Sequence, residues 1–170
     1  MEIHLITKGD VLSLARPTSV HVDESDVDVF IDETEQLDII PAIGCDLFLD
    51  IQGNLSGPKY ETLLMGGVYV GRDGKKHLFK GLKTAMAYYV YARLVKNDGR
   101  ILSESGFLSH NDEYGEKVDD KQKYASYHDA LNVGKRYLAD VLNYLKTTNQ
   151  TFDKRAKVKN NGTRIIAIGE

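Results

Sequence analysis

Five histidines, one cysteine and a surplus of carboxylates are the side chains in this sequence that could hold a metal or move a proton. His4, His21, His77, His110 and His128 are scattered, with no HExxH and no pair four residues apart. Cys45 is the one thiol, so there is no thiolate cluster, and a metal site would need the fold to gather dispersed histidines. The acidic run DESDVD (residues 23–28) superficially resembles the start of a calcium loop. It lacks glycine at the sixth position and lies where a helix must start, which argues against it. GRDGKK (residues 71–76) resembles a phosphate loop without the GxxxxGK[ST] spacing, and a hairpin turn accounts better for its glycines. No GxSxG is present, and no histidine near Cys45 in the sequence would activate it as a nucleophile. Asp26, Asp28, Asp32, Glu33 and Glu35 crowd one helix and read as an exposed face rather than an acid and base held in two environments. No catalytic, metal-binding or cofactor-binding residue is expected, and neither is an enzyme.

The elements that would position any site are organised around Leu82–Lys96, LKTAMAYYVYARLVK. It contains no Gly, Pro, Asn or Asp, and its charges are confined to Lys83, Arg93 and Lys96. A helix apolar on nearly every face is expected to be buried on all sides. At about 22 Å, it is too short and too charged near its ends to span a bilayer. Before it, Thr7 should cap a brief helix through Ala15, which the Arg16-Pro17-Thr18 turn ends. Residues 1–6 alternate and suggest a short strand or arm. Asp23 or Ser25 caps the next helix, expected to run to about Leu37 with Val27, Phe30, Ile31, Thr34 and Leu37 as its buried stripe. Pro41 and Gly44 then punctuate the chain. A short helix follows from Cys45 to about Ile51, and another from Lys59 to Met65 with Pro58 at its start. Residues 68–70 and 77–79 flank GRDGKK as a β-hairpin.

After the central helix, residues 98–118 form a stretch too long for an ordinary loop; an extended arm or irregular hairpin is expected. From Asp119 to about Leu145 runs the longest helix. Its Tyr124, Tyr127, Leu131, Gly134, Leu138, Val141 and Leu145 make a 3-4 seam, which should pack on the central helix of the same chain. The basic tail 146–170 ends in TRIIAIG (residues 163–169), a strand that needs a partner edge, either the hairpin or another subunit. The domain plan is therefore a helical body over 1–145, including the arm, and a tail over 146–170. The expected fold class is mainly α: a small helical bundle around a buried central helix, with a β-hairpin, an extended arm and a C-terminal strand.

At 170 residues, the chain has the size of one domain with a substantial core. A lone cysteine fits a reducing cytoplasm, and no signal peptide or membrane anchor is expected. The three Asn-x-Ser/Thr sequons, at Asn54, Asn149 and Asn161, are then chance matches. The net charge of −3 hides a polarity, because residues 1–62 hold thirteen Asp/Glu against three Lys/Arg. Such asymmetry marks a partner surface or head-to-tail stacking, or else merely solvated faces of opposite sign. The basic tail, with Lys146, Lys154, Arg155, Lys157, Lys159 and Arg164, leaves a second function class open. That alternative is a small cytoplasmic regulator binding nucleic acid with a steep salt dependence. No helix-turn-helix or zinc-finger pattern accompanies the tail.

Several segments occur together in order: FIDETEQLDIIPAIG (30–44), YETLLMGGVY (60–69), FKGLKTAMAYYVYAR (79–93), SESGF (103–107), EYGEKVDDK (113–121), the long helix, and TRIIAIG (163–169). In this order and spacing the chain resembles the head-tail connector (adaptor, or head-completion) proteins of tailed bacteriophages, in particular the branch common in phages and prophages of Bacteroidetes. That family commonly has Thr near the start of the arm, where this chain has Ser103-Glu-Ser. The resemblance implies a homo-oligomeric ring, typically a dodecamer, beneath the portal protein. Such a ring extends the DNA channel and presents a platform to the next neck or tail protein. Genome DNA would pass through without specific binding, and no membrane is involved. The expected location is the virion, at the head-tail junction, and the host cytoplasm during assembly. Candidate subunit or portal contacts are Ile101, Leu102, Phe107, Leu108 and Tyr114 on the arm. On the tail they are Lys154, Arg155, Lys157, Lys159, Arg164, Ile165, Ile166 and Ile168.

Overall fold

The computed structural model of the chain describes residues 4–18, 22–97, 100–103, 106–109 and 120–148. His21, His110, Tyr114 and every candidate residue of the tail lie outside these residues, as does the expected strand 163–169. The architecture is mainly α: seven helices among the described residues, α1 (Lys8–Leu14), α2 (Glu24–Thr34), α3 (Ile40–Ile43), α4 (Cys45–Gly53), α5 (Glu61–Met65), α6 (Leu82–Asn97) and α7 (Asp120–Thr147). Two antiparallel hairpins interrupt them, β1 (Gly67–Val70) with β2 (Lys76–Phe79), and β3 (Arg100–Ser103) with β4 (Gly106–Ser109).

Helix α6 is the central post. Leu82, Ala85, Met86, Ala87, Tyr89, Val90 and Ala92 are all buried. Helices α1, α2, α5 and α7 surround it. Side chains covered on every side in this way contribute about 1.5–3 kcal/mol each for the larger apolar ones. Helix α7 runs antiparallel along α6, and its buried positions Gly134, Leu138, Val141 and Leu145 belong to the expected seam. Gly134 makes room for aromatic rings: a Cβ there would lie 3.2 Å from Tyr89 Cδ2. The seam does not hold over its whole length, because Tyr124 is exposed. The reason is length. At the standard rise α7 is about 42 Å long and α6 about 24 Å, so α7 overhangs at both ends. Its N-terminal end passes Lys96, whose ammonium lies 5.5 Å from the Tyr127 ring, and its C-terminal end lies on the β1–β2 hairpin.

The acidic helix departs from its expected form. It does not stop near Leu37, and Pro41 does not end it. Helix α2 continues through a π turn, Glu35–Ile39, into α3, and only Gly44 terminates it. The buried positions Val27, Ile31, Glu35, Ile39 and Ile43 recur every fourth residue. A regular α-helix would rotate such a row by about 40° per step, and the wider π turn takes up that drift. It also relieves the proline, whose ring would crowd the carbonyl four residues earlier. Leu37 is consequently swung out to solvent, and Ile39 takes its place in the core.

At the N-terminus, residues 4–6 are not a strand. Thr7 caps α1 in a capping box with Asp10, and Leu5 and Ile6 are buried in the core. Helix α5 starts at Glu61 rather than Lys59, because Tyr60 turns inward and its hydroxyl donates to Asp50. Where the β1–β2 hairpin joins the bundle, two backbones nearly touch. A Cβ on Gly81, at φ 84°, would meet Gly66 N and Leu64 O at 2.4 Å, so both the conformation and the contact require glycine there.

Candidate functional site

Among the described residues, the chemistry-bearing side chains are not brought together. No group of three or more His, Cys, Asp or Glu side chains among them is placed to share a metal ion. His4 Nδ1 lies 3.0 Å from Glu35 Oε2 at the N-terminal end of the core. His77 Nε2 lies 3.0 Å from Asp73 Oδ1 in the hairpin turn. His128 sits among Tyr124 and Tyr127, with ring centroids at 4.2 and 4.8 Å. Cys45 is exposed at the start of α4.

Several carboxylates expected on a solvated face are structural. Glu35 is only 3% exposed. It accepts the Leu5 N–H at 2.7 Å and so straps the N-terminal segment to the π turn. Arg93 on α6 donates to Glu33 at 3.1 Å, Thr34 Oγ1 at 3.2 Å and Asp38 at 2.8 Å. Lys83 reaches Asp10 at 3.1 Å, and Arg16 pairs with Asp129. Part of the charge polarity along the sequence is thus neutralised inside one chain. Beside this network, burial and the Asp38 carboxylate push the Tyr89 phenol up to about 12.

The β1–β2 hairpin has two different faces. Its turn is closed by Gly74 at φ 74°, with Gly74 N–H donating to Gly71 O at 3.0 Å and Gly71 N–H to Lys75 O at 2.8 Å. This three-residue connection with a glycine bulge is what GRDGK specifies. Register pairs Tyr69 with His77 and Val68 with Leu78. On the inner face Tyr69, His77 and Phe79 pack together and onto α7: Phe79 stacks on Tyr144 at 4.6 Å, and Tyr69 meets Tyr144 edge-on at 5.4 Å. On the outer face Val68, Val70 and Leu78 are 61, 57 and 71% exposed, and Met65 just before the hairpin is 62% exposed. Four large apolar side chains on and just before the hairpin are thus open to solvent. These residues are not among the contacts expected from the sequence. The signal was the alternation V-x-V in residues 68–70, which must turn one face outward.

At the turn end, a cleft of about 310 Å³ lies between the hairpin and the last turns of α7. Tyr69, Arg72, Asp73, His77, Asp140, Asn143 and Lys146 line it. Two of its charged side chains, Arg72 and Asp73, are already engaged. Arg72 donates to the Lys146 carbonyl at 2.7 Å. The His77 ring and the Lys75 N–H hold the Asp73 carboxyl below the usual carboxylate range.

Of the arm candidates, Ile101 is opposite Leu108 and Leu102 opposite Phe107 in the β3–β4 register. The arm is therefore a hairpin rather than an extended segment where it is described. Among the described residues its main contacts are within itself.

A buried helical post, a hairpin with one apolar face open to solvent and a second hairpin define a mainly helical domain. The chain belongs to the family of unknown function DUF6712, which matches residues 39–165. No curated protein and no solved structure matches it. Among the described residues no helix is long and apolar enough to cross a membrane.

Proposed function

We propose that this protein is a structural adaptor that assembles as a ring beneath a phage portal, joins the DNA-filled head to the tail and extends the DNA channel. The observation that carries this reading is the outer face of the β1–β2 hairpin. Large apolar side chains that the core does not use are held rigidly outward by an aromatic inner face. A surface of this kind serves binding between macromolecules. The β3–β4 hairpin between the two long helices and the basic tail beyond α7 supply further contacts, to a neighbouring subunit, the portal or an adjacent ring. The exposed Glu24, Asp26 and Asp28 of α2 suit a channel wall, where repulsion keeps DNA phosphates sliding rather than bound. The resemblance to head-tail connectors supplies the twelve-fold ring, the portal as partner and the virion as location.

The test is mixing purified portal with the full chain. Co-migration is expected, and its absence at every salt concentration would refute the reading. Deleting residues 151–170 should abolish portal attachment while the helical circular-dichroism signal and its thermal transition persist; retained attachment would remove the tail from the portal contact. Tight DNA binding with a steep salt slope, lost on the same deletion, would point instead to a nucleic-acid-binding regulator.

A further inference from the structure

Resting on the adaptor reading, we infer that the outer edge of β1 receives the segment 163–169 of a neighbouring copy as a third strand. The β1–β2 sheet has two strands and packs on α7 by one face, so that both of its strands are edge strands. Because Gly71 and Lys75 are a bonded pair, alternation turns the N–H and C=O of Val68 and Val70 away from β2. The two outer edges differ. Lys76 lies on β2, with Lys75 and Lys80 flanking it, and charged residues of this kind block added strands. The β1 edge reads GVYV, with neither charge nor proline, and so is the unprotected template. Among the described residues nothing pairs with it.

The occupant is argued from the chain beyond Thr148. Its one strand-like apolar run is TRIIAIG, residues 163–169. With a period of two, Ile166 and Ile168 share one face, where they extend the Val68, Val70 and Leu78 surface by cross-strand pairing. Backbone hydrogen bonds supply the affinity of such an addition, and alternate side chains its selectivity. The chain leaves the described body beside the hairpin turn, where Arg72 holds the Lys146 carbonyl. Returning to its own β1 would need little more than the length of the hairpin, about 13 Å for four residues. The intervening residues 149–162 reach up to about 46 Å. That is enough to cross the width of a compact body of this size, about 40 Å, and so to reach an adjacent copy. A contact of this type is head-to-tail, the geometry that closes a ring.

The experiment uses the full chain in a Cys45→Ser background, alone and with portal present. One preparation carries Val70→Cys, another Ile166→Cys, and a short bismaleimide is added to the mixture. Cross-linked dimer containing one chain of each kind is expected, with the yield falling at least tenfold when the Val70→Cys chain also carries Val68→Lys. Two results overturn the inference: no dimer under either condition, or, with both cysteines in one chain, an internally closed monomer as the product. Portal co-migration is scored separately on the same samples. Co-migration without cross-linking sinks the strand contact and leaves the adaptor reading standing. Cross-linking without co-migration does the reverse.

Discussion

Helix α6 and the β1–β2 hairpin are almost continuous in sequence, with Lys80 and Gly81 between them, yet they solve opposite problems. The helix has neighbours on every side, and its charged residues Lys83 and Arg93 are tied to Asp10, Glu33 and Asp38. The hairpin is covered on one face only, and adjacent residues Leu78 and Phe79 are 71% and 3% exposed. Stability is concentrated in the helix and in the inner face of the hairpin. Exposed apolar surface is concentrated where burial stops: ring contacts fix the inner face of the hairpin, and its other face stays apolar and open.

The comparison can be broken hardest in α6. Val90→Asp places a charge where no compensating partner lies. It should cost about 4 kcal/mol or more, enough to unfold a domain of ordinary stability. Loss of the cooperative thermal transition by circular dichroism is the expected readout, and a soluble, fully folded variant would show that the helix is not the centre of the fold. Phe79→Ala on the inner face of the hairpin removes the ring stacked on Tyr144. It should cost about 3–5 kcal/mol in urea unfolding, with the transition retained if the domain's total stability is larger than that.

A pH titration tests the polar side of the core. The Tyr89 phenol is raised to about 12 in the folded protein from about 10 when unfolded. Its contribution is therefore fully present below pH 10 and is lost as pH rises from 10 to 12. Midpoints measured across that range should fall, and Tyr89→Phe should flatten the decline. An unchanged slope would mean that Tyr89 is not held neutral by its surroundings. The smallest effect on stability belongs to the outer face: Leu78→Lys should change the unfolding free energy by no more than about 0.5 kcal/mol. Sedimentation should nonetheless show weaker association. A large loss of stability would mean that the face is part of the core after all.

Much of the fold is legible in the sequence. The Thr7 and Asp23 caps, the hairpin around GRDGK and the seam from Leu131 to Leu145 are local signals, set by periodicity, capping chemistry and glycine placement. Glu35 was misread because nothing local separates a buried carboxylate from those beside it; its partner, the Leu5 N–H, lies thirty residues away. Leu37 was misplaced because a π turn shifts the stripe by one residue, and a 3.6-residue reading extends the regular helix through it. The candidate contacts fell on the arm and tail, while the exposed face found here is on the hairpin. Alternation says that one face of a hairpin is apolar but not which face the body will cover.

The sequence alone determined that this chain is mainly helical, that Leu82–Lys96 is its buried axis and that a glycine-turned hairpin precedes it. These properties follow from side chains within a few residues of one another. Only the tertiary structure decided that Phe79 faces inward and Leu78 outward, that Glu35 straps the N-terminal segment, and that Arg93 gathers the acidic helix onto the core. Each of those depends on a partner far along the chain, and burial is a property of the packed whole rather than of any segment.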